Sequence, residues 1–449
     1  MSLKQRWQDM YKSKLVTADE AAKVVKSGDF VEYGFGINCA YDFDEALSKR
    51  VDELEAVNIK CDIGAYPHFT AEADPSGARF QWNSWHVSGQ DKKYIHKTLF
   101  YIPMKFHELP PMTMNDCTPN NVGVVMCTPM DEHGYFNFGG ASTNVRAIYE
   151  VAETFIVEVN ENMPRCLGGN SECIHVSEVD MIMEGQNHPM PLLPAAAPSE
   201  IDSQIAAHCL SKMRDGCCIQ LGIGGVPNAV GTMVAQSDLK DLGVHTEMYV
   251  DAYLEMVKAG KVTGRYKNLD RYKQVYSFVM GTQELYEYVS DNPGLASYPV
   301  DYTNHPQIIS QIDNFVSINA CVEVDLYGQV CAESVGTRHL SGTGGQLDFV
   351  EGAYKSKGGL SFVCMPSTIT KKDGTMASKI QPILTPGAIV TDPRTATHMI
   401  VTEYGIAQMK GKTTWERAEN LINIAHPDFR DELIDAAKKQ NIWSKSNKK

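Results

Sequence analysis

The sequence predicts an α/β protein made of two similar domains with mostly parallel sheets, related by internal duplication. Three observations carry this expectation. Short apolar runs such as Val122-Gly123-Val124-Val125-Met126 and Ser361-Phe362-Val363-Cys364 alternate with helical stretches such as Glu200 to Met213, the pattern that builds parallel sheets covered by helices. Ala21 to Gly36 parallels Cys209 to Gly224, both reading helix, glycine stop, short apolar strand, then Gly-x-Gly. At 449 residues the chain also exceeds what one hydrophobic core usually supports.

In chain order, the first repeat supplies a strand ending near Gly34-Phe35-Gly36, and a later strand is expected at Phe155-Ile156-Val157-Glu158-Val159-Asn160. The segment Asn187 to Pro198 then carries four prolines in ten residues, which excludes regular helix or a central strand. Residues 1–186 are therefore expected to form the first domain, 187–199 a proline-rich linker, and 200–449 the second domain. Within the second, Met399-Ile400-Val401-Thr402-Glu403-Tyr404 resembles the strand at Phe155 and supports duplication. Two such domains are expected to hold ligand in a cleft at their glycine-rich strand ends.

Composition narrows the function. A net charge of −14 argues against nucleic acid, whose phosphates select basic surfaces. An anionic small substrate then needs local cations, for which Lys371, Lys372, Lys379, Lys410 and Lys412 are candidates, although scattered lysines are commonly only solvated surface. No apolar run approaches the roughly 20 residues of a membrane span, and the amino terminus lacks the apolar stretch of a signal peptide, so a cytoplasmic protein is expected. The 12 cysteines contain no C-x-x-C pair and are expected to be buried reduced thiols.

Two glycine clusters stand out. Leu221-Gly222-Ile223-Gly224-Gly225-Val226-Pro227-Asn228 follows a strand and opens a helix, so its backbone N–H groups can cradle a phosphate or acyl oxygen, or the segment is a structural turn. A dinucleotide fingerprint needs a third glycine where Pro227 stands. The second cluster, Ser341-Gly342-Thr343-Gly344-Gly345-Gln346-Leu347-Asp348-Phe349, places three glycines in four residues, which suits a close backbone approach to ligand as well as a tight turn.

Glu247 lies in the strand-like run Leu242 to Met248, about one helix-length after the first cluster. Taken alone it reads as an ordinary surface or capping glutamate. Its place in a strand–helix–strand unit offers another role, because successive parallel strand ends lie side by side and bring a carboxylate near loop N–H donors. A carboxylate in such a site is able to attack a thioester or ester and carry a covalent intermediate. His245 shares its strand face and is a possible base, with a structural histidine as the plainer reading. No H-E-x-x-H, C-x-x-C or paired-His spacing supports a metal site, and G-x-S-x-G and P-loop patterns are absent, so no metal, serine-hydrolase or P-loop mechanism is expected.

With these motifs in view, the chain resembles the acetyl-CoA hydrolase/transferase branch of class I coenzyme A transferases over essentially its whole length. The likeness also rests on Gln81-Trp82-Asn83-Ser84-Trp85-His86, Asp131 to Gly139, Glu158 to Gly169 and His245-Thr246-Glu247-Met248-Tyr249-Val250-Asp251. The resemblance implies two CoA-transferase domains, with Glu247 as nucleophile and Gly222, Ile223, Gly224, Gly225 and Val226 as the CoA-contacting loop. It further implies CoA contacts at Asn319, Gly342 and, more loosely, Lys372.

The implied reaction moves CoA between butyryl-CoA and acetate by a ping-pong route through a glutamyl-CoA thioester. 4-Hydroxybutyryl transfer and acetyl-CoA hydrolysis are the alternatives. Coenzyme A is then a substrate with no further cofactor, the other partners are short-chain carboxylates, and a homo-oligomer is expected. Backbone N–H groups of Gly224-Gly225 or Gly344-Gly345 are candidate oxyanion donors. Tyr33, Phe35, Trp82, Trp85, His86, Phe136 and Phe138 are candidates for an apolar acyl pocket.

Overall fold

The computed structural model describes residues 2–115, 120–194 and 197–443. Within them the chain divides into two compact units. The first comprises Met1–Pro194, Glu247–Tyr249 and Val275–Thr303, and the second Ala195–Thr246, Val250–Gln274 and Asn304–Lys449.

The first sheet contains β1 (Phe30–Phe35), β2 (Val57–Asp62), β3 (Phe80–Ser84), β4 (Leu99–Tyr101), β5 (Val122–Cys127), β6 (Thr154–Val159) and β7 (Met181–Glu184), in the order β4-β3-β2-β1-β5-β6-β7. All its pairings are parallel. Its inner strands β1, β5 and β6 are buried along nearly their whole length, as parallel strands between helices must be. Every residue of β5 is buried, and Val125 and Cys127 join Phe136, Phe138, Val145, Ile148, Phe155 and Val157 in one core.

The second sheet contains β8 (Cys218–Leu221), β9 (Gly243–Tyr249), β10 (Gln274–Val279), β11 (Leu295–Ser297), β12 (Phe315–Ala320), β13 (Leu360–Cys364), β14 (Met399–Thr402) and β15 (Gly405–Gln408). Their order is β11-β10-β9-β8-β12-β13-β14-β15. β8 pairs in parallel with β9 and β12, β12 with β13 and β13 with β14, while β15 returns antiparallel as a hairpin. Val363, Ile400, Val350, Ile380, Leu421 and Leu433 belong to one core in the second unit.

The first seven strands of the two sheets share one order, the fourth-third-second-first-fifth-sixth-seventh sequence about the strand that carries Gly-x-Gly. This supports duplication and puts the repeat match on β1 and β8. It also corrects the second match. β6 is the sixth strand of its sheet and β14 the seventh of the other, so the counterpart of β6 is β13. Short buried strands of alternating Ile and Val look alike whatever their position, because burial on both faces selects the same residue types.

Helix Glu200–Leu210 starts at Ser199, whose hydroxyl accepts from the Asp202 N–H while the Asp202 carboxylate accepts from the Ser199 N–H, a capping box. It ends at Leu210, short of Met213. The described residues of segment 187–199 are irregular. In it, Pro191 and His188 carbonyls accept from Tyr286 Oη at 2.6 Å and Asn160 Nδ2 at 2.9 Å. Among the described residues no helix is long and apolar enough to cross a membrane. The described cysteines are free thiols, all buried except the partly buried Cys173.

Candidate active site

Glu247 sits near the carboxyl end of β9, where Gly243 to Tyr249 are buried at every position except Glu247 itself. A strand that keeps one carboxylate open among buried neighbours spends hydrophobic burial to hold it rigidly. His245, two residues earlier on the same face, is fully buried, with its ring 6.1 Å from Phe315. The strand is braced by Tyr253, whose hydroxyl accepts the Leu221 N–H at 2.7 Å and hydrogen-bonds the Thr246 side chain. Tyr253 lies on the helix Asp251–Lys258 that follows β9 directly.

The glycine loop leaves β8 and enters helix Gly225–Gln236. Gly222 uses its N–H on the Ile318 carbonyl at 2.8 Å, which removes it from the set of ligand donors. A side chain at 222 would also meet Asn319 Oδ1 at 3.0 Å. Gly224 has φ +119°, open to glycine but strained for other residues. Gly225 begins the helix, so its N–H and that of Val226 belong to the first turn, which has no partner within the helix. Pro227 has no N–H and fills a first-turn position suited to it. Ile223 is 56% exposed.

Asn319, near the end of β12, exchanges two amide hydrogen bonds with Gln220, both 3.1 Å. The structure therefore brings Asn319, Gln220 and Gly222 together. The Asp202 carboxylate lies against this loop: a Cβ at 225 would stand 2.5 Å from it. Lys379 lies within electrostatic reach of Asp202. Its Nζ donates to the Cys321 carbonyl at 3.3 Å, and burial lowers its proton affinity while Glu403, Asp202 and Glu323 act to raise it.

The second glycine cluster also delivers a helix start. Gly344 has φ +53°, and helix Gln346–Lys355 begins just beyond it. Glu333, 1% exposed, holds this loop: its carboxylate accepts from Thr391 Oγ1 at 2.8 Å and Thr343 Oγ1 at 3.3 Å, and its carbonyl from the Leu340 N–H at 2.8 Å. Gln346 Nε2 donates at 2.7 Å to Asp392, whose carboxyl is pushed up to about 7 by burial and then by Glu333 and Glu351. Gly342 is buried. Lys372 occupies the exposed turn between strands Thr368–Thr370 and Met376–Ser378. Among the described residues no hydrogen bond or ion pair joins it to Gly222–Val226, Asn319 or Gly342.

The aromatic candidates divide. Phe136 and Phe138 are fully buried in the first unit's core and so are structural. Tyr33 donates to Asp44 at 2.9 Å, Trp82 stacks on His68 at 4.0 Å, and Phe35 packs 4.7 Å from Phe278. Sequence reasoning passed over Gln220, Tyr253, Asp202 and Glu333, which act by touching backbone or another side chain and carry no motif of their own. Among the described residues, no group of three or more His, Cys, Asp or Glu is placed to hold a metal.

Comparison with known proteins gives a consistent result. Residues 1–194 match the acetyl-CoA hydrolase/transferase N-terminal domain and residues 281–437 the C-terminal domain. The chain is 70% identical over 99% of its length, and 99% of the relative's, to a probable butyrate:acetyl-CoA coenzyme A-transferase of Syntrophomonas wolfei. It is 53% identical, over 98% of the chain and 100% of the relative, to the butyryl-CoA:acetate CoA-transferase of Anaerostipes caccae. The crystal structure of RipA from Yersinia pestis is similar at a TM-score of 0.89 and 36% identity, covering 98% of this chain and 100% of that one.

Proposed function

The chain belongs to the acetyl-CoA hydrolase/transferase family, and from that premise we propose that it transfers coenzyme A between butyryl-CoA and acetate, giving butyrate and acetyl-CoA, with Glu247 as covalent nucleophile. The substrate pair follows the two relatives just described, both similar along the whole chain. The observation that carries the nucleophile is the partial exposure of Glu247 on an otherwise buried strand.

In the proposed route the Glu247 carboxylate attacks the butyryl thioester carbonyl and expels CoA thiolate, leaving a mixed anhydride. The thiolate attacks the glutamyl carbonyl, releasing butyrate and forming glutamyl-CoA thioester. Acetate attacks that thioester, and the returning thiolate takes the acetyl group, so Glu247 regains its carboxylate and no proton is consumed. Each tetrahedral intermediate bears an oxyanion, for which one placed N–H donor is worth about 3–4 kcal/mol in rate. The first-turn N–H groups of Gly225 and Val226 suit that role or the binding of CoA oxygens, while Gly222 is already committed to β12. Asn319 and Gln220 hold the loop in shape, and Gly342 and Lys372 are further proposed CoA contacts.

The reading has residues 1–186 and 200–449 as the two CoA-transferase domains, joined by 187–199, and the enzyme working in the cytoplasm as a homo-oligomer. Incubation with butyryl-CoA alone, trapping with borohydride or hydroxylamine and peptide mapping should find the adduct on Glu247. An adduct elsewhere would overturn the assignment. Glu247→Ala should fold normally and lose several orders of magnitude of transfer. Thiol release that proceeds equally without acetate would instead indicate hydrolysis.

A further inference from the structure

The duplicated sheets correspond in order and, at the first two paired positions of their central strands, in register. Phe30 and Cys218 are partners in the internal repeat, and they face Asn58 on β2 and Gly243 on β9; Val31 and Ile219 face Ile59 and Val244. Counting on along both strands, Lys60 falls with His245, Cys61 with Thr246 and Asp62 with Glu247. By count along the strand the last residue of β2 therefore matches Glu247 of β9, although the β1–β2 ladder shifts between Glu32 and Phe35 and sets Asp62 opposite Phe35, and it too is a carboxylic acid.

Asp62 is 2% exposed. Its Oδ1 accepts the Ile63 N–H at 3.1 Å and lies 3.4 Å from Ser84 Oγ, and its carboxyl also accepts from the His86 backbone. Ser84 Oγ in turn sits 3.0 Å from the His86 carbonyl. The Gln81–His86 motif thus wraps this acid. Behind it lies Asp91, also 2% exposed, which accepts the Ser88 N–H at 2.6 Å and pairs with His68 Nε2 at 2.6 Å.

We infer that Asp62 sets the charge that the acceptor meets beside Glu247: it holds its proton throughout the cycle, so that the incoming carboxylate meets no charge from the last residue of β2. The inference rests on Glu247 being the nucleophile. Burial first, and then the charge of Asp91, pushes the Asp62 carboxyl well above the usual carboxylate range; the N–H bonds from Ile63 and His86 pull it down, and the charge of Glu247 raises it again. The titratable groups facing it are Asp91 with its partner His68, Glu247 from β9, and Cys61 and Cys39, whose thiols lie 2.8 Å apart beside the Asp62 backbone.

The charge count explains the arrangement. Leaving aside Asp91, which is paired with His68 behind Asp62, the free enzyme carries one negative charge here, on Glu247. In the glutamyl-CoA thioester that charge is gone, and an incoming acetate restores the total to one as long as Asp62 holds its proton on its own oxygen. An ionised Asp62 would face acetate as a buried like charge, which strongly disfavours one of the two. The proton is never transferred, so the reaction balances as written above.

The test measures the KM for acetate against pH in the wild type and in Asp62→Asn, alongside infrared difference spectra of the two. The wild-type KM should climb with pH, approaching about tenfold per pH unit once Asp62 loses its proton, with kcat changing less, and the Asp62→Asn KM should stay flat. The spectrum at neutral pH should show a protonated carboxyl in the wild type that the variant lacks. Equal KM slopes, or no such carboxyl band, overturn the inference. Should the variant not fold, the wild type alone decides, since a KM independent of pH from acid to alkaline conditions also overturns it. Trapping keeps the two readings apart: an adduct missing from Glu247 sinks the nucleophile, whereas an adduct on Glu247 with equal slopes sinks only the role of Asp62.

Discussion

Replacing Glu158 by glutamine should remove a pH dependence of stability that the fold builds into the first unit. Glu158, on β6, is fully buried, and its carboxylate accepts the N–H groups of Tyr41 at 3.2 Å, Asp42 at 3.1 Å and Phe43 at 3.2 Å, at the start of helix Asp42–Ser48. Burial moves its carboxyl from an ordinary 4.5 up to about 7, the charge of Asp42 adding to the rise and the three N–H bonds opposing it. At about 1.4 kcal/mol per pH unit, that gap corresponds to about 3 kcal/mol.

The sign follows from which state holds the proton. Between pH 4.5 and about 7 the folded chain keeps a proton that the unfolded chain has released, so the stability contributed by Glu158 is full below that window, falls through it and stays low above it. Guanidinium unfolding of wild type and Glu158→Gln across this range isolates the effect, because all other titrations cancel in the difference. The gap between the two should change by about 3 kcal/mol over the window. Parallel curves would show that Glu158 titrates as in the unfolded chain, and the account of burial against three N–H donors would fail.

Gly225→Ala should lower stability by about 1–3 kcal/mol and raise the KM for acyl-CoA, since the new methyl lands on the Asp202 carboxylate; unchanged melting and KM would show that Asp202 moves freely aside. Lys60→Met should cost about 3–5 kcal/mol by stranding Glu32, its buried partner at 2.9 Å. Adding Glu32→Gln should recover much of that loss, and denaturant melts of the single and double variants check both statements. Burial also holds the imidazole of His398 down to about 4 from 6.5. Its contribution has the opposite sign to that of Glu158: the unfolded chain takes up the proton first, so stability falls as pH drops from 6.5 toward 4, an effect that His398→Gln should remove in the same melts.

Much of the fold was legible because local chemistry repeats with the structure. The glycines of Gly34-x-Gly36 and Gly222-x-Gly224 mark the two central strands, and the positive φ of Gly36 and Gly224 explains why those positions are glycine. Glu247 stood out by its distance from the loop and by family likeness. The pairing of Phe155–Asn160 with Met399–Tyr404 misled, since buried Ile/Val strands carry no label of position. Phe136 and Phe138 looked like pocket residues, yet the core claims them, because aromatic character serves both ends equally well.

The sequence by itself determined the α/β class, the repeat centred on β1 and β8, the glycine loops at helix starts and the carboxylate on β9. These are local properties, written in the spacing of apolar residues and in glycines where backbone geometry demands them. Only the tertiary structure decided that Gly222 spends its N–H on β12, that Asp202 closes the space beside Gly225, and that Asp62 and Glu247 match by count along β2 and β9. Those facts depend on strand register and on which distant side chains come to share a buried volume, and hydrogen bonding between strands, rather than neighbourhood in the chain, sets both.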